Sequence, residues 1–161
     1  MSAGCTLERV NGSGLGGGAD EPSLIYVVGR VNQGIEREMR ARLTPRGLSV
    51  QEYTTLSVLR SRPGLSNAQL ARRALVTPQS MLEILAKLQR GGFVRRDVDP
   101  DHGRILRAEL TAEGQAVLAA ADPAVRSIQE RMLADVPARQ REIVLRGMLA
   151  AMHRLSSGLT E

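Results

Sequence analysis

Apolar residues recur at helical spacing over most of the chain, interrupted by Pro, Gly and other turn formers. From Leu24 to about Leu43, Val27, Val28, Val31, Ile35, Met39 and Leu43 keep that period, and Pro45 and Gly47 close the segment. A second helix is expected to open near Ser49, where Glu52 three residues on completes a capping box. It carries Tyr53, Leu56 and Leu59 and stops at Pro63-Gly64. Ser66 is placed to cap a short third helix, Asn67 to about Arg73, with Leu70 and Ala71 inward. Thr77 followed by Pro78 reads as the cap and first position of a fourth helix, which runs to Arg90 and ends at Gly91-Gly92. Phe93 to Arg96 and Leu106 to Leu110 have short-strand character, and the turn formers of Asp97 to Gly103 join them. Thr111 opens a long fifth helix, with Glu113 in the first turn where the helix dipole favours a negative charge. Val117, Leu118, Ala121, Val125, Ile128 and Met132 keep its period, and Pro123 is expected to bend or split it. A sixth helix from near Pro137 carries Ile143, Leu145, Met148, Leu149, Met152 and Leu155.

Residues 1–20, with Gly12, Gly14, Gly16, Gly17 and Gly18 and little apolar content, read as a flexible tail. Gly12, Gly14 and Gly17 match a G-x-G-x-x-G string, but no strand precedes it and no helix follows directly, so it does not make a dinucleotide loop.

The third and fourth helices are separated by Ala74-Leu75-Val76, the length of a helix-turn-helix connection. At about 100° per residue, Met81, Ile84, Leu85 and Leu88 fall on one face of the fourth helix, and Gln79, Ser80, Glu83, Lys87 and Arg90 fall on the other. One face buries; the other offers amide, hydroxyl and charge to a major groove, where Gln79 can pair with adenine. The first amides of the helix, near Thr77, can receive a phosphate. Arg104, near the tip of the following hairpin, suits a narrow minor groove.

Charge sharpens this picture. The net formal charge is +5 in 161 residues. The stretch from Arg60 to Glu109 holds Arg60, Arg62, Arg72, Arg73, Lys87, Arg90, Arg95, Arg96, Arg104 and Arg107 against Glu83, Asp97, Asp99, Asp101 and Glu109. Elsewhere acids and bases balance, so the whole excess lies over the helix-turn-helix and hairpin, as a polyanion-binding surface requires. Aromatics are only Tyr26, Tyr53 and Phe93, which leaves an aliphatic core suited to helices. A lone Cys5 excludes an internal disulfide framework, and its tail position beside only Arg9 argues against redox sensing. One His102 and scattered Asp do not make a metal site. The longest apolar run, Ala116 to Ala121, is too short to cross a bilayer, and no signal segment opens the chain, so a reducing, cytoplasmic setting without membrane contact is expected.

The sequence resembles the MarR-type winged helix-turn-helix regulators. The resemblance is carried by Leu48-Ser49-Val50-Gln51-Glu52-Tyr53, Leu65-Ser66-Asn67-Ala68-Gln69-Leu70-Ala71, Val76-Thr77-Pro78-Gln79-Ser80-Met81, the run Leu88 to Val94, Asp99-Pro100-Asp101-His102-Gly103-Arg104 and Leu110-Thr111-Ala112-Glu113-Gly114. In the family's wing signature, D-x-R-x(5)-L-T, Arg104, Leu110 and Thr111 keep their spacing, but His102 stands at the Asp position. The resemblance implies a mainly α fold: a winged helix-turn-helix region over 48–110 with a short two-stranded β wing, and a helical dimerisation region from both chain ends, 21–47 and 111–161. It implies a homodimer on a pseudo-palindromic double-stranded operator, its recognition helices about 34–36 Å apart. It further implies a ligand-responsive regulator, most often a repressor, without a cofactor.

Ser66, Thr77, Gln79, Ser80, Lys87, Arg104 and Arg107 are the expected DNA contacts. Tyr26, Arg30 and Tyr53 are candidates to line a pocket for a small aromatic or phenolic acid. An enzyme is disfavoured, because the fifty residues after Thr111 are helical in pattern and leave no room for a doubly wound cofactor domain. The rival is a winged-helix module that binds protein, favoured by Glu83, whose carboxylate repels phosphate unless it accepts from cytosine N4.

Overall fold

A computed structural model describes residues 22–101 and 103–156. The expected tail, Cys5 and His102 lie outside the described residues. The elements are α1 (Leu24–Leu43), a single 3-10 turn (Thr44–Arg46), α2 (Val50–Ser61), β1 (Leu65–Ser66), α3 (Asn67–Ala74), α4 (Pro78–Arg90), β2 (Val94–Val98), β3 (Leu106–Leu110), α5 (Ala112–Met132) and α6 (Ala138–Ser156). The chain divides into two compact units, the first ending at Arg37 within α1 and the second beginning at Glu38.

The helix starts follow from side-chain capping. At α2, Ser49 Oγ accepts from Glu52 N at 3.1 Å and Glu52 Oε2 accepts from Ser49 N at 2.7 Å, closing a capping box. A second box opens α3, where Ser66 N donates to Gln69 Oε1 at 2.9 Å and Gln69 N donates to Ser66 Oγ at 3.4 Å. Thr77 Oγ1 accepts from Ser80 N at 3.1 Å ahead of Pro78, and Thr111 Oγ1 accepts from Gly114 N at 3.0 Å. Each such cap satisfies an otherwise unpaired helix amide and contributes about 1 kcal/mol.

In the second unit, Leu43, Leu48, Leu56, Leu59, Leu70, Met81, Leu85, Leu88, Val94, Ala108, Leu118 and Ala121 form one buried cluster. A fully buried aliphatic side chain of this size is worth about 1.5–3 kcal/mol, so this shared core is what holds the helix-turn-helix to the sheet and to α5. The apolar face assigned to α4 is the one that buries: Met81, Leu85 and Leu88 are inaccessible and Ile84 is half-buried.

The expected two-stranded wing forms as β2 and β3, and a third strand joins it, giving a sheet in the order β1-β3-β2, all antiparallel. The extra strand is the dipeptide Leu65-Ser66, paired with Ala108 and Arg107, too short to show a strand period. Of the bend or split expected at Pro123, the split does not occur: α5 continues through Pro123. Pro123 and Ala119, whose carbonyl loses its helical donor there, both lie on the exposed side, where water can replace the missing bond.

Gly114, buried in the first turn of α5, sits against the backbone of Phe93. A Cβ there would lie 2.0 Å from the Phe93 carbonyl oxygen and 2.9 Å from its carbon. The same carbonyl accepts from Thr111 N at 3.1 Å, and Thr111 Oγ1 donates to Gly92 O at 2.6 Å, so backbone is fixed on both sides and cannot give way. Gly114→Ala should therefore lower unfolding stability by at least about 2 kcal/mol, read as a shift in urea midpoint; an unchanged midpoint would show that α5 can slide off the entry to β2.

Candidate nucleic-acid interface

The turn between α3 and α4 reverses the chain at Leu75, whose φ of 56° puts a non-glycine residue in the left-handed region. Its side chain is 91% exposed, so packing does not offset that strain. Asn67 Nδ2 donates to the Pro78 carbonyl at 3.0 Å and ties the start of α3 to the start of α4. Thr77, Gln79, Ser80, Glu83, Lys87 and Arg90 are all exposed along α4, while Ser66 is half-buried at the α3 cap. Thr77 Oγ1 and Ser80 Oγ lie 2.9 Å apart. Thr77, Gln79 and Ser80 thus cluster at the N-terminal end of α4, where free amides and the positive end of the helix dipole suit an anion.

The basic residues of the central segment divide into two groups. Arg60 is held by Asp122, Arg95 by Glu109 and Asp97, Lys87 by Glu52, and Arg107 by Asp99. Arg62, Arg72, Arg73, Arg90 and Arg104 are exposed and form no ion pair among the described residues, and Arg96, half-buried on β2, forms none there either. Two expected DNA contacts therefore have structural duties. Lys87 Nζ reaches the buried Glu52 Oε1 at 2.8 Å, although the lysine remains mostly exposed. Arg107 donates through Nε to Asp99 Oδ2 at 2.6 Å and through Nη1 to Gly64 O and Gln69 Oε1, each at 3.3 Å. Arg107 is thus drawn into the base of the wing and linked to the α3 capping box through Gln69, which leaves little of its guanidinium for a phosphate. Asp99, 3% exposed, also accepts from Asp101 N at 2.9 Å, so a carboxylate does brace the wing, from a position three residues before His102. Arg104 extends from the tip, exposed.

Tyr53 is half-buried on α2, and its hydroxyl donates to Asp122 Oδ1 of α5 at 2.9 Å. Arg60, two turns further along the same face of α2, grips both oxygens of the same carboxylate. The Arg60 hydrogen bond holds the Asp122 carboxyl below its ordinary pKa, while burial and the Asp122 hydrogen bond push the Tyr53 hydroxyl up. Tyr26 and Arg30 are exposed on α1 in the first unit. Burial raises the Glu52 carboxyl, but the hydrogen bonds from Lys87 and from the Ser49 backbone outweigh it and hold it below its usual range.

A model of the MarR family matches residues 46–105, from the turn before α2 to the wing tip. The HTH-type transcriptional repressor Rv2887 of Mycobacterium tuberculosis is 42% identical over 123 residues, covering 76% of this chain and 88% of the relative. The chain belongs to the MarR family. Among solved structures, Rv2887 in complex with DNA matches with a TM-score of 0.68 at 39% identity, over 82% of this chain and 98% of that one. Rv2887 in complex with salicylic acid matches with a TM-score of 0.67 at 41% identity, over 83% of this chain and 98% of that one. The winged helix-turn-helix expected from the sequence is therefore the fold of this MarR-family chain.

Sequence reasoning found Glu52 as a capping residue but not as the partner of Lys87, and did not find Asn67 or Asp99 as groups that hold the interface in shape. Lys87 lies far from Glu52 in sequence, as Gly64 and Gln69 do from Arg107, and no local spacing announces these contacts. Arg72 and Arg73 were visible as charge, but only the lack of an ion pair among the described residues distinguishes them from Arg60 and Arg95, which are equally exposed.

Glu52 and Asp122 both have depressed folded-state pKa values, so their pairs add stability above the unfolded carboxylate pKa and lose it as pH falls through the folded values. Asp122→Asn should be less stable than the wild type at neutral pH and converge with it in acid, measured as urea midpoints against pH. Parallel curves would show that the Tyr53–Asp122–Arg60 cluster carries no linked proton.

Proposed function

We propose that this protein is a ligand-responsive, DNA-binding transcriptional repressor that grips a pseudo-palindromic operator as a homodimer. The observation that carries the reading is the outward polar face of α4, from the capped end at Thr77 to Arg90, in a unit that also exposes Arg62, Arg72, Arg73 and Arg104 without ion pairs among the described residues. A helix with this face fits a major groove, and the unpaired arginines supply phosphate contacts. The Rv2887 structure with DNA supports the same use of the fold here.

Dimerisation is supported by α6, which has no buried residue and leaves Ile143, Leu145, Met148, Met152 and Leu155 between 47% and 78% exposed. A second copy supplies apolar surface for such a helix to bury against. In this reading residues 21–47 and 111–161 form the dimerisation region and 48–110 the DNA-binding region. The salicylic acid complex of Rv2887 supports a small aromatic acid as effector, with Tyr26, Arg30 and Tyr53 as candidates to contact it. Tyr53 and Arg60 join α2 to α5 through Asp122, so a ligand that disturbs this cluster acts on the connection between the reading head and the long helix behind it. Its effect on DNA equals its difference in affinity for the two arrangements.

No helix among the described residues is long and apolar enough to cross a membrane. The named relatives are transcriptional regulators, and the same non-enzymatic role is proposed for this chain.

Binding to fragments selected from the source genome tests the reading, and affinity should fall steeply with salt in proportion to the phosphates neutralised. Arg104→Ala should weaken binding to all sequences and reduce the log–log salt slope by about 1; an unchanged slope would remove the wing from the contact surface. Gln79→Ala should cost about 1–3 kcal/mol at one or two base pairs, read as an altered profile of bound sequences, and an identical profile would show that Gln79 reads no base.

A further inference from the structure

The exposed face of α4 carries one acid, Glu83, where a phosphate-binding surface disfavours negative charge. Helical spacing gives this acid an obvious neutralising partner. Lys87 is four residues further on, and Glu at i with Lys at i+4 is the favourable order for an ion pair. That pair does not form. The Lys87 ammonium is turned to the other side, 2.8 Å from Oε1 of Glu52, whose side chain is 4% exposed and whose other oxygen closes the α2 capping box. Glu83 is left with no hydrogen bond or ion pair among the described residues, in the middle of the face that also presents Gln79 and Ser80 one turn earlier.

We infer that Glu83 is a specificity-determining residue of the proposed regulator, its carboxylate accepting from the N4 amino group of a cytosine in the operator half-site, and that Glu52 is a positioning residue which leaves it unpaired by holding Lys87 away. The inference rests on the DNA-binding reading above. In the major groove a carboxylate meets acceptors on guanine and thymine, and on adenine an amino donor flanked by the N7 acceptor. Cytosine alone offers a donor with no acceptor on the same base edge. A free carboxylate on this face therefore selects by exclusion: it repels the wrong bases and the phosphates, and only the N4 amine relieves that repulsion. Gln79 lies four residues before Glu83, about 6 Å along the helix axis, so the cytosine falls one or two base steps from the adenine that Gln79 suits. Glu52 matters because a buried anion at the far end of α4 competes for Lys87 better than an exposed one, being itself unable to find water.

The experiment selects duplexes from a random pool with the full-length wild type, Glu83→Ala and Glu52→Gln, and then measures affinities for the selected duplex and for the same duplex with the cytosine pair replaced by T·A. The wild type should discriminate against the replacement by about tenfold or more, and Glu83→Ala should bind the two within about twofold of each other. Glu52→Gln keeps a residue able to close the capping box but frees Lys87 to pair with Glu83, so it should lose most of the discrimination while its circular dichroism and oligomeric state match the wild type. Identical selected motifs and discrimination for wild type and Glu83→Ala would overturn the inference, as would a variant that gains affinity equally for every duplex. Full discrimination by Glu52→Gln would overturn the role given to Glu52. A wild type that selects no motif would overturn the DNA-binding reading itself, and this inference with it.

Discussion

The Glu52 carboxylate, 3% exposed, does two jobs at one point: one oxygen closes the cap that starts α2, and the other holds the ammonium of Lys87 near the end of α4. Buried charge is costly unless paired and hydrogen-bonded, so the fold is constrained to bring these two helix ends together. That constraint fixes the roll of α4 about its own axis. With Lys87 drawn toward α2 and Met81, Leu85 and Leu88 inside, Gln79, Ser80 and Glu83 have to face outward. The outward chemistry of the reading helix is thus set from its buried side.

The same logic governs the wing. Arg107 is held at its base by Asp99, the Gly64 carbonyl and Gln69, and Gln69 in turn completes the cap of α3. The hairpin and the helix-turn-helix consequently share a hydrogen-bond network, and a tilt of the wing is felt at the start of α3. Arg104 at the tip has no hydrogen bond or ion pair of its own among the described residues and is carried by this base. The basic excess of the central segment therefore has two physical roles. Arginines and the lysine paired with Asp99, Asp122, Glu109 and Glu52 build the frame, and the unpaired ones give the frame its positive field.

Tyr53, Arg60 and Asp122 join α2 to α5, with one carboxylate shared by a guanidinium and a phenol. The cluster is only partly buried. At the C-terminal end of α5, Arg131 pairs with Glu38 at 2.8 Å and anchors the long helix to the last turns of α1.

Much of this was legible in the order of residues. Ser49 with Glu52, Ser66, Thr77 with Pro78, and Thr111 marked the starts of α2 to α5, because capping is a local exchange between a side chain and amides two or three residues on. The division of α4 into an apolar and a polar face was also readable, since a fixed 3.6-residue period determines it. Local pattern did not determine the third strand, the unbroken course of α5 through Pro123, or which cations would be free. A two-residue strand exists only because β3 offers it a partner, and a proline inside a helix is tolerated only where its orphaned carbonyl meets water. Lys87 and Arg107 looked like phosphate ligands in one dimension. Only the folded chain put Glu52 and Asp99 beside them, because ion pairing depends on distance in space, and both of those carboxylates are buried where they need a cation.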